Sequence, residues 1–275
     1  MSEQEIGSAQ RRFGGLERLY GPGCVAYFAS KHVMVAGIGG VGSWCVEALA
    51  RTGVGRISLI DMDHVAESNI NRQLPALSST LGKAKCLAMA ERIADINPLC
   101  RVEIIDDFIG PDNVGICLQS LPDVLVDCTD QVSAKIAMLT QAKSLKIKVI
   151  VCGAAGGKLD ALALRSGDLS QSTHDALLAR LRNQLRKAHG YAKPKAGAKK
   201  PRVPKMGVSC LWIEQPALLP AEWQQDGNQN QTLQGLSCAG YGSAVTVTAP
   251  MGFAAAQLAI QHLLSQQPQP GPDIS

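Results

Sequence analysis

The feature that most constrains this chain is the run "VMVAGIGGVG" at 33–42, followed by an aspartate, Asp61, that ends the run "RISLID". The first run combines an apolar strand with a glycine-rich turn, and the residues at 42–53 have the pattern of a helix. A strand, a glycine turn, a helix and a second strand ending in an acid are typical of a nucleotide-binding βαβ unit. The sequence therefore predicts a nucleotide site at the end of the first strand.

The glycines of "GIGGVG" have separate tasks in such a unit. Gly37 permits the tight turn after the strand, and Gly39 and Gly40 let the backbone approach a phosphate. Gly42 lets the helix pack close to the strand, with its first N–H groups facing the anion. Asp61 is placed to accept hydrogen bonds from ribose hydroxyls. This much fits an NAD-dependent dehydrogenase and an ATP-using enzyme equally well.

Strand and helix patterns alternate along the first 157 residues. This rhythm predicts an α/β fold of the Rossmann type: a mostly parallel sheet with helices on both faces, and ligands at the carboxyl ends of its strands. The later segments look like a strand and helices added to that core, within one domain over 1–270. The predicted strands are 32–38, 56–61, 101–106, 123–130, 148–157 and 207–215, and the predicted helices are 42–53, 83–96, 133–145, 175–187 and 242–264.

Composition limits the compartment and the chemistry. The chain has 275 residues, 46% of them hydrophobic, and its polar start lacks an apolar leader, so we expect a cytoplasmic protein. Nine cysteines are present without a C-x-x-C pair, which favours reduced and mostly buried thiols over zinc or disulfides. Cys210 and Cys238 are the two candidates for reactivity, although burial is the better interpretation for both.

The charge is unevenly distributed. Ten Lys or Arg residues and no acid lie between Arg180 and Lys205, while the rest of the chain is net acidic. A basic linker is predicted at about 188–206; it is either a solvated linker or a surface for an anionic partner. The stretch 227–272 carries no Asp, Glu, Lys or Arg, yet its glycines and hydroxyl residues favour a buried helix over a membrane span.

Polar residues after Asp61 favour ATP over NAD. The stretch "DMDHVAESNINRQL" places Asn69 and Arg72 directly after the second strand, where a dehydrogenase needs no positive charge. An arginine there can reach the β- and γ-phosphates of a triphosphate, and Lys85 at the start of the next helix supplies a second cation. Lys83, two residues earlier, is the less favoured candidate for this second cation.

An acid at the end of a later strand adds a candidate metal ligand. The run "VDCTD" places Asp127 and Asp130 at the carboxyl end of that strand, and such an acid could hold Mg²⁺ against the phosphates. Each of these residues also has a structural explanation, because Arg72 could form a surface ion pair and Asp130 could cap the next helix. Their order on one sheet edge favours a functional role.

The run from Val33 to Gln73, with the later "GKAK" and "VDCTD", resembles the adenylating domain of the ubiquitin-activating enzyme superfamily, which includes activators of bacterial sulfur carriers. The resemblance covers most of 14–157. It implies that Asp61 binds the ribose of ATP and that Asp130 binds magnesium. It also implies that other residues contact the nucleotide and its phosphates: Gly37, Gly39, Gly40, Gly42, Asp63, Asn69, Arg72 and Lys85. Arg72, Lys85 and Asp130 would be the catalytic set.

The ends of the chain resemble one branch of that superfamily, whose members act on tRNA. The segments are "RRFGGLERLYG", "VCGAAGGKLDALALRSGDL", "DALLARLR" and "CAGYGSAVTVTAPMGFAAA". This resemblance implies ATP-dependent cyclisation of a threonylcarbamoyl group on the adenosine beside the anticodon, with AMP and pyrophosphate released. It also implies a homodimer in which Arg12 or Arg18 reaches the partner's ATP site, and admits a monovalent cation and a sulfur-transfer partner protein.

Three other functions stay open from the sequence. The chain could activate a ubiquitin-like sulfur carrier, although the zinc-binding cysteine pairs of many such enzymes are absent. It could be a nucleotide-dependent scaffold that binds ATP without turnover, or, least favoured, an NAD dehydrogenase. The anticodon stem-loop of tRNA would give the basic linker its anionic partner, and Tyr191 and His189 within that linker could stack on exposed bases.

Overall fold

The computed structural model describes residues 3–194, 203–218 and 241–267. It contains one seven-stranded sheet in the order β3-β2-β1-β4-β5-β7-β6. All neighbouring strands are parallel except β6 and β7, which are antiparallel. The strands are β1 (His32–Ala36), β2 (Arg56–Ile60), β3 (Arg101–Ile105), β4 (Val124–Asp127), β5 (Lys148–Cys152), β6 (Leu164–Asp168) and β7 (Ser209–Ile213).

Helices cover both faces of the sheet, as the sequence predicts. Along β1, Val33 and Val35 join one buried cluster while Met34 and Ala36 join the other, because successive side chains point to opposite faces. The helices are α1 (Glu3–Phe13), α2 (Gly15–Tyr20), α3 (Cys24–Ala29), α4 (Gly42–Arg51), α5 (Lys85–Ile96), α6 (Val114–Cys117), α7 (Val132–Leu145), α8 (Ala176–Ala188) and α9 (Val245–Ser265). Helices α6, α7 and α8 cover one face, and α4, α5 and α9 cover the other.

The predicted strand 207–215, which looks like an addition to the core in the sequence, is part of the sheet. Strand β7 lies between β5 and β6, so its residues are buried inside the sheet rather than wrapped around it. Strand β6 is missing from the sequence prediction because its partly exposed run "LRSGD" has neither an apolar run nor strict alternation. Helix α9 packs its buried residues against α4, and no described helix combines the length and hydropathy that a membrane crossing requires.

A partly buried polar network lies towards the amino ends of β1, β2 and β3, away from the carboxyl ends where ligands bind. The His32 ring nitrogen Nε2 is 2.7 Å from Ser58 Oγ, and Ser58 donates to Glu103 Oε2 at 2.8 Å. Arg56 Nη2 donates to the same carboxylate oxygen at 2.8 Å. Burial, helped by the nearby Arg56 charge, lowers the pKa of His32 to about 4.

The low pKa of His32 predicts a pH-dependent stability. Below about pH 6.5 the unfolded chain binds a proton at His32 that the folded chain excludes, so the free energy of unfolding falls from there towards pH 4. The effect is on the order of 3 kcal/mol for the whole shift. Urea unfolding at pH 7 and pH 5 should show a smaller pH dependence in His32→Asn than in the unmodified chain. Equal pH dependence in the two proteins would contradict this role for His32.

Candidate active site

A cavity of about 370 Å³ lies at the carboxyl ends of β1 and β4. These are neighbouring strands whose following helices lie on opposite faces of the sheet, which is where open α/β sheets bind ligands. The cavity brings together all the predicted nucleotide and metal contacts on this chain except Gly42, which lies behind it: Gly37, Gly39, Gly40, Asp61, Asp63, Asn69, Arg72, Lys85 and Asp130.

Two glycines fix the shape of the loop between β1 and α4. Gly37 has φ of 86°, which favours glycine, and a Cβ there would lie 2.9 Å from the Cys128 carbonyl oxygen. A Cβ on Gly42 would lie 1.9 Å from the Gly37 carbonyl oxygen, so α4 can begin only with glycine at that point. The loop is therefore built by close backbone packing, as the spacing of the glycines predicts.

Asp61 holds the glycine loop as well as facing the cavity. Its Oδ2 accepts a hydrogen bond from the Ile38 backbone N–H at 2.7 Å, and its Oδ1 accepts from the Asp63 N–H at 2.9 Å. Each carboxylate oxygen can accept a further bond, so a ribose hydroxyl remains a feasible partner. The sequence indicates the ribose contact. It does not indicate the hydrogen bond by which Asp61, at the end of β2, holds the glycine loop.

The turn after β2 presents Asn69 and Arg72 to the cavity. Asn69 is buried, and its Oδ1 accepts from the Ala66 N–H at 3.1 Å, which leaves the Nδ2 donor as the group suited to phosphate. Trp44 Nε1 donates to the Arg72 carbonyl at 3.0 Å. Arg72 Nη1 donates to Ser68 O and Asn71 Oδ1 at 2.8 and 2.9 Å. The guanidinium is thus held by its own turn while the side chain lines the cavity.

Lys85 begins helix α5, as the sequence predicts. Its Nζ lies 2.8 Å from Asp63 Oδ2, and the Lys85 side chain is 7% exposed whereas that of Asp63 is 53% exposed. Asp63 therefore aims the ammonium group along the cavity wall. Lys83 instead pairs with Glu91 at 2.7 Å, so Lys85 is the lysine that faces the nucleotide site.

The two aspartates of "VDCTD" have different environments. Asp127 is fully buried and pairs with the equally buried Lys135, whose Nζ lies 3.0 Å from Asp127 Oδ1. That oxygen also accepts from the Thr129 N–H and hydroxyl at 3.0 and 2.7 Å. Asp130 is exposed, lines the cavity and has no cationic partner among the described residues. Of these two aspartates, Asp130 is therefore the one whose carboxylate is available to a metal.

Lys135 also donates to the Cys152 carbonyl at 2.9 Å. The buried pair thus joins the ends of β4 and β5 to the first turns of α7, beneath the loop that carries Asp130. The sequence does not reveal this pair, because a lysine within a helix normally faces water.

Two further segments line the cavity that the sequence analysis does not predict as part of the site. Phe108 and Ile109 follow β3 and supply an apolar surface suited to a nucleobase. The loop 153–156 after β5 forms the opposite wall, and Asp175 Oδ2 accepts from the Ala154 N–H at 2.8 Å. A Cβ on Gly153 would lie 2.1 Å from that oxygen, so the loop and Asp175 fit together only with glycine there.

Neither candidate arginine at the N-terminus lines this cavity. Arg12 Nη1 donates to the carbonyls of Asp95 and Ile96, both at 3.1 Å, at the C-terminus of α5. Arg18 lies on α2 and does not face the site.

The cysteine prediction holds for the described residues. Cys210 is fully buried in β7, and burial raises the pKa of its thiol to about 12, so it is structural. All eight described cysteines are free, and Cys238 lies outside the described residues. No group of residues in the described ranges is arranged as a preformed metal site of three or more His, Cys, Asp or Glu.

Comparison with known proteins agrees with this site. The sequence pattern of the ThiF family matches residues 16–272. A relative from Haemophilus influenzae, named tRNA threonylcarbamoyladenosine dehydratase, is 42% identical over 264 residues, which are 95% of this chain and 97% of the relative.

Solved structures of the E. coli enzyme of that name are also similar to this chain over nearly its full length. Its complex with AMP is 40% identical with a TM-score of 0.80, covering 94% of this chain and 95% of that one. Its complex with ATP is 39% identical, with the same TM-score and coverage. The family resemblance seen in the sequence is confirmed: the chain belongs to the ThiF family and, within it, to the tRNA threonylcarbamoyladenosine dehydratases.

Proposed function

We propose that this chain uses ATP to dehydrate threonylcarbamoyladenosine beside the anticodon of tRNA, closing a ring and releasing AMP and pyrophosphate. The observation that carries the proposal is the convergence of Arg72, Lys85 and Asp130 with the glycine loop on one cavity. The relatives of matching length carry the name of this activity, and two solved relatives hold AMP and ATP.

The first step activates a carboxylate. A free carboxylate is a poor acyl donor, because oxide is a poor leaving group. Attack of its oxygen on the α-phosphorus of ATP forms an acyl adenylate, and the bond to pyrophosphate breaks. Arg72 and Lys85 stabilise the negative charge that develops on the leaving pyrophosphate.

Magnesium fits the residues of this site. Mg²⁺ is usually held by one or two carboxylates together with substrate phosphates, and Asp130 supplies such a carboxylate at the cavity wall. Bound there, the ion would neutralise phosphate charge. Lys135 already occupies Asp127, so Asp127 is not proposed as a ligand.

The second step is intramolecular. A nitrogen or oxygen of the same side chain attacks the acyl carbon, AMP leaves, and the nucleophile loses its proton, so the net change is loss of one water. Closure within one molecule profits from a high effective concentration of the nucleophile. The loop 153–156 and the apolar wall formed by Phe108 and Ile109 keep the adenylate oriented and limit access of bulk water.

The direct test measures AMP release by the purified chain with three acceptors. We expect ATP-dependent AMP formation with tRNA that carries the linear nucleoside, and none with unmodified tRNA. AMP formation that requires a carrier protein ending in Gly-Gly, and that ignores tRNA, would favour the sulfur-carrier activator instead. The absence of a C-x-x-C pair argues against that alternative.

We also propose a homodimer, with an arginine from one subunit reaching the ATP site of its partner. Arg18 is the better candidate, because the Arg12 guanidinium is already held by two carbonyls of its own subunit. Arg18→Ala should lower the rate of AMP formation by about 100-fold, while Arg12→Ala should keep it within a few fold. Mixing Arg18→Ala subunits with Lys85→Ala subunits should restore part of the activity. Failure of the mixture to recover would contradict action across the dimer.

Other partners complete the proposal. The chain acts as one adenylating domain over 1–270, in the cytoplasm with its tRNA substrate, and it accepts a monovalent cation and a sulfur-transfer partner protein.

The basic linker predicted at 188–206 is described only in part. Residues 195–202 lie outside the described residues, and Lys193 is exposed. The Tyr191 ring is partly buried against the core, and Lys143 Nζ lies 4.9 Å from its centre, so part of the ring surface is already covered.

A further inference from the structure

The turn that carries Arg72 is attached to the entry of helix α9. The Val245 backbone N–H donates to the Asn71 carbonyl at 3.1 Å, and Asn71 Nδ2 donates to the Ser243 carbonyl at 2.7 Å. Asn71 and Ser243 are 172 positions apart in the chain, so the sequence does not reveal this attachment. The entry to α9 is therefore part of the structure around the cavity, and Ser243 itself lines the cavity wall.

Thr248, in the first turn of α9, makes a second attachment. Its hydroxyl Oγ1 donates to the Arg72 carbonyl at 3.3 Å, and the same carbonyl accepts from Trp44 Nε1 at 3.0 Å. Thr248 is buried, and its methyl carbon lies against the glycine loop, since a Cβ on Gly40 would be 3.1 Å from that carbon. The Arg72 backbone is therefore held from two sides, by α4 and by α9.

Asn71 carries this attachment on to the guanidinium group of Arg72. Its Oδ1 accepts from Arg72 Nη1 at 2.9 Å, while its Nδ2 donates to the Ser243 carbonyl. A side-chain amide has its acceptor and its donors on one plane. The bond between Nδ2 and Ser243 therefore also fixes the direction in which Oδ1 meets Arg72.

The amide of Asn71 holds Arg72 without cancelling its charge. Both groups that accept from Arg72 Nη1 are uncharged: the Ser68 carbonyl at 2.8 Å and the Asn71 amide oxygen. A carboxylate in place of this amide would form an ion pair with the guanidinium, as Glu47 does with Arg92 at 2.6 Å. Its negative charge would then weaken the attraction between Arg72 and a phosphate.

We propose that Asn71 is a positioning residue for the first chemical step. From the entry to α9, it holds the Arg72 guanidinium in the direction that stabilises the leaving pyrophosphate, and it leaves the charge of Arg72 uncompensated. This rests on the proposed function, which gives Arg72 that task. Asn71 does not itself line the cavity, whereas Arg72 does, so Asn71 acts through Arg72 rather than on the nucleotide.

The test is a double-mutant cycle on the rate of pyrophosphate release at saturating ATP and tRNA. Asn71→Ala should lower this rate about tenfold, because Arg72 loses its direction, while the Kd of ATP stays within about threefold. In an Arg72→Ala background, the same substitution should change the rate by less than about twofold, since the side chain that Asn71 directs is already absent. Asn71→Asp, which keeps an acceptor but adds a negative charge, should be at least as slow as Asn71→Ala.

The matched control is Asn183→Ala, which removes an exposed asparagine of α8 outside the cavity lining and should keep the unmodified rate. Asn71 is exposed as well, so its variants should unfold near the midpoint of the unmodified chain.

Three results would overturn the positioning proposal. They are an unmodified rate for Asn71→Ala, an unmodified rate for Asn71→Asp, and a tenfold loss from Asn71→Ala that persists in the Arg72→Ala background. If the unmodified chain releases no pyrophosphate from ATP with tRNA that carries the linear nucleoside, the proposed function itself fails. The positioning proposal then fails with it.

Discussion

Asp130→Ala should reduce the rate of AMP formation by at least about 100-fold while ATP still binds. Asp130 lines the cavity without a cationic partner among the described residues, whereas Asp63 is paired with Lys85. Asp61 and Asp107 also line the cavity without such a partner, but both carboxylates accept hydrogen bonds from neighbouring residues. Removing Asp130 takes away the proposed metal ligand but leaves the ribose and phosphate contacts in place. Pre-steady-state measurement of pyrophosphate release, together with a separate ATP-binding titration, gives both quantities.

The matched control for this prediction is Asp112→Ala, an exposed acid that does not line the cavity. It should turn over at the unmodified rate. Full activity of Asp130→Ala would remove Asp130 from the mechanism. Normal biological function of that variant without turnover would favour the scaffold hypothesis, in which ATP is bound but not used.

Lys135→Met should destabilise the fold by about 3–5 kcal/mol, because it leaves the Asp127 carboxylate buried without its counter-charge. Both side chains are fully buried, and Lys135 also satisfies the Cys152 carbonyl. Asp127 shapes the loop before Asp130, the proposed magnesium ligand. The variant should therefore also bind magnesium more weakly and need a higher magnesium concentration for half-maximal AMP formation. Urea unfolding at neutral pH measures the first effect, and a magnesium titration of AMP formation measures the second.

A double variant separates charge from packing. Asp127→Asn/Lys135→Met removes both charges and keeps an acceptor for the Thr129 N–H, so it should be more stable than Lys135→Met alone. Lys135→Arg, which keeps the charge, should recover part of the stability. A free energy of unfolding for Lys135→Met within about 1 kcal/mol of the unmodified chain would show that the pair is not a main stabilising element.

The fold was predictable where local pattern and burial agree. Strand β1 and helix α4 follow from an apolar run and a glycine spacing that only close backbone packing satisfies, as Gly37 and Gly42 show. Strand β6 was not predictable, because it pairs only at the edge and exposes much of its surface. The position of β7 inside the sheet depends on long-range pairing that a single sequence does not encode locally.

The site was predictable for residues whose chemistry needs a fixed place in the motif. Asp61, Arg72, Lys85 and Asp130 lie in runs that follow β2 and β4, the two strands on either side of β1, and the cavity brings them together. The supporting residues were not predictable in this way. Lys135 became a buried partner only because α7 packs over the end of β4, and Asp175 reaches the loop 153–156 from a distant segment.

Ring closure of threonylcarbamoyladenosine in tRNA at the expense of ATP is tested most directly in cells. The measurement is mass spectrometry of tRNA nucleosides from cells with and without the chain, prepared under mild conditions that preserve a labile ring. We predict that deletion converts the cyclic nucleoside into its linear form, heavier by one water, and that the intact chain but not Asp130→Ala restores the ring. An unchanged level of cyclic nucleoside after deletion, in cells without a second copy of the enzyme, would contradict this activity.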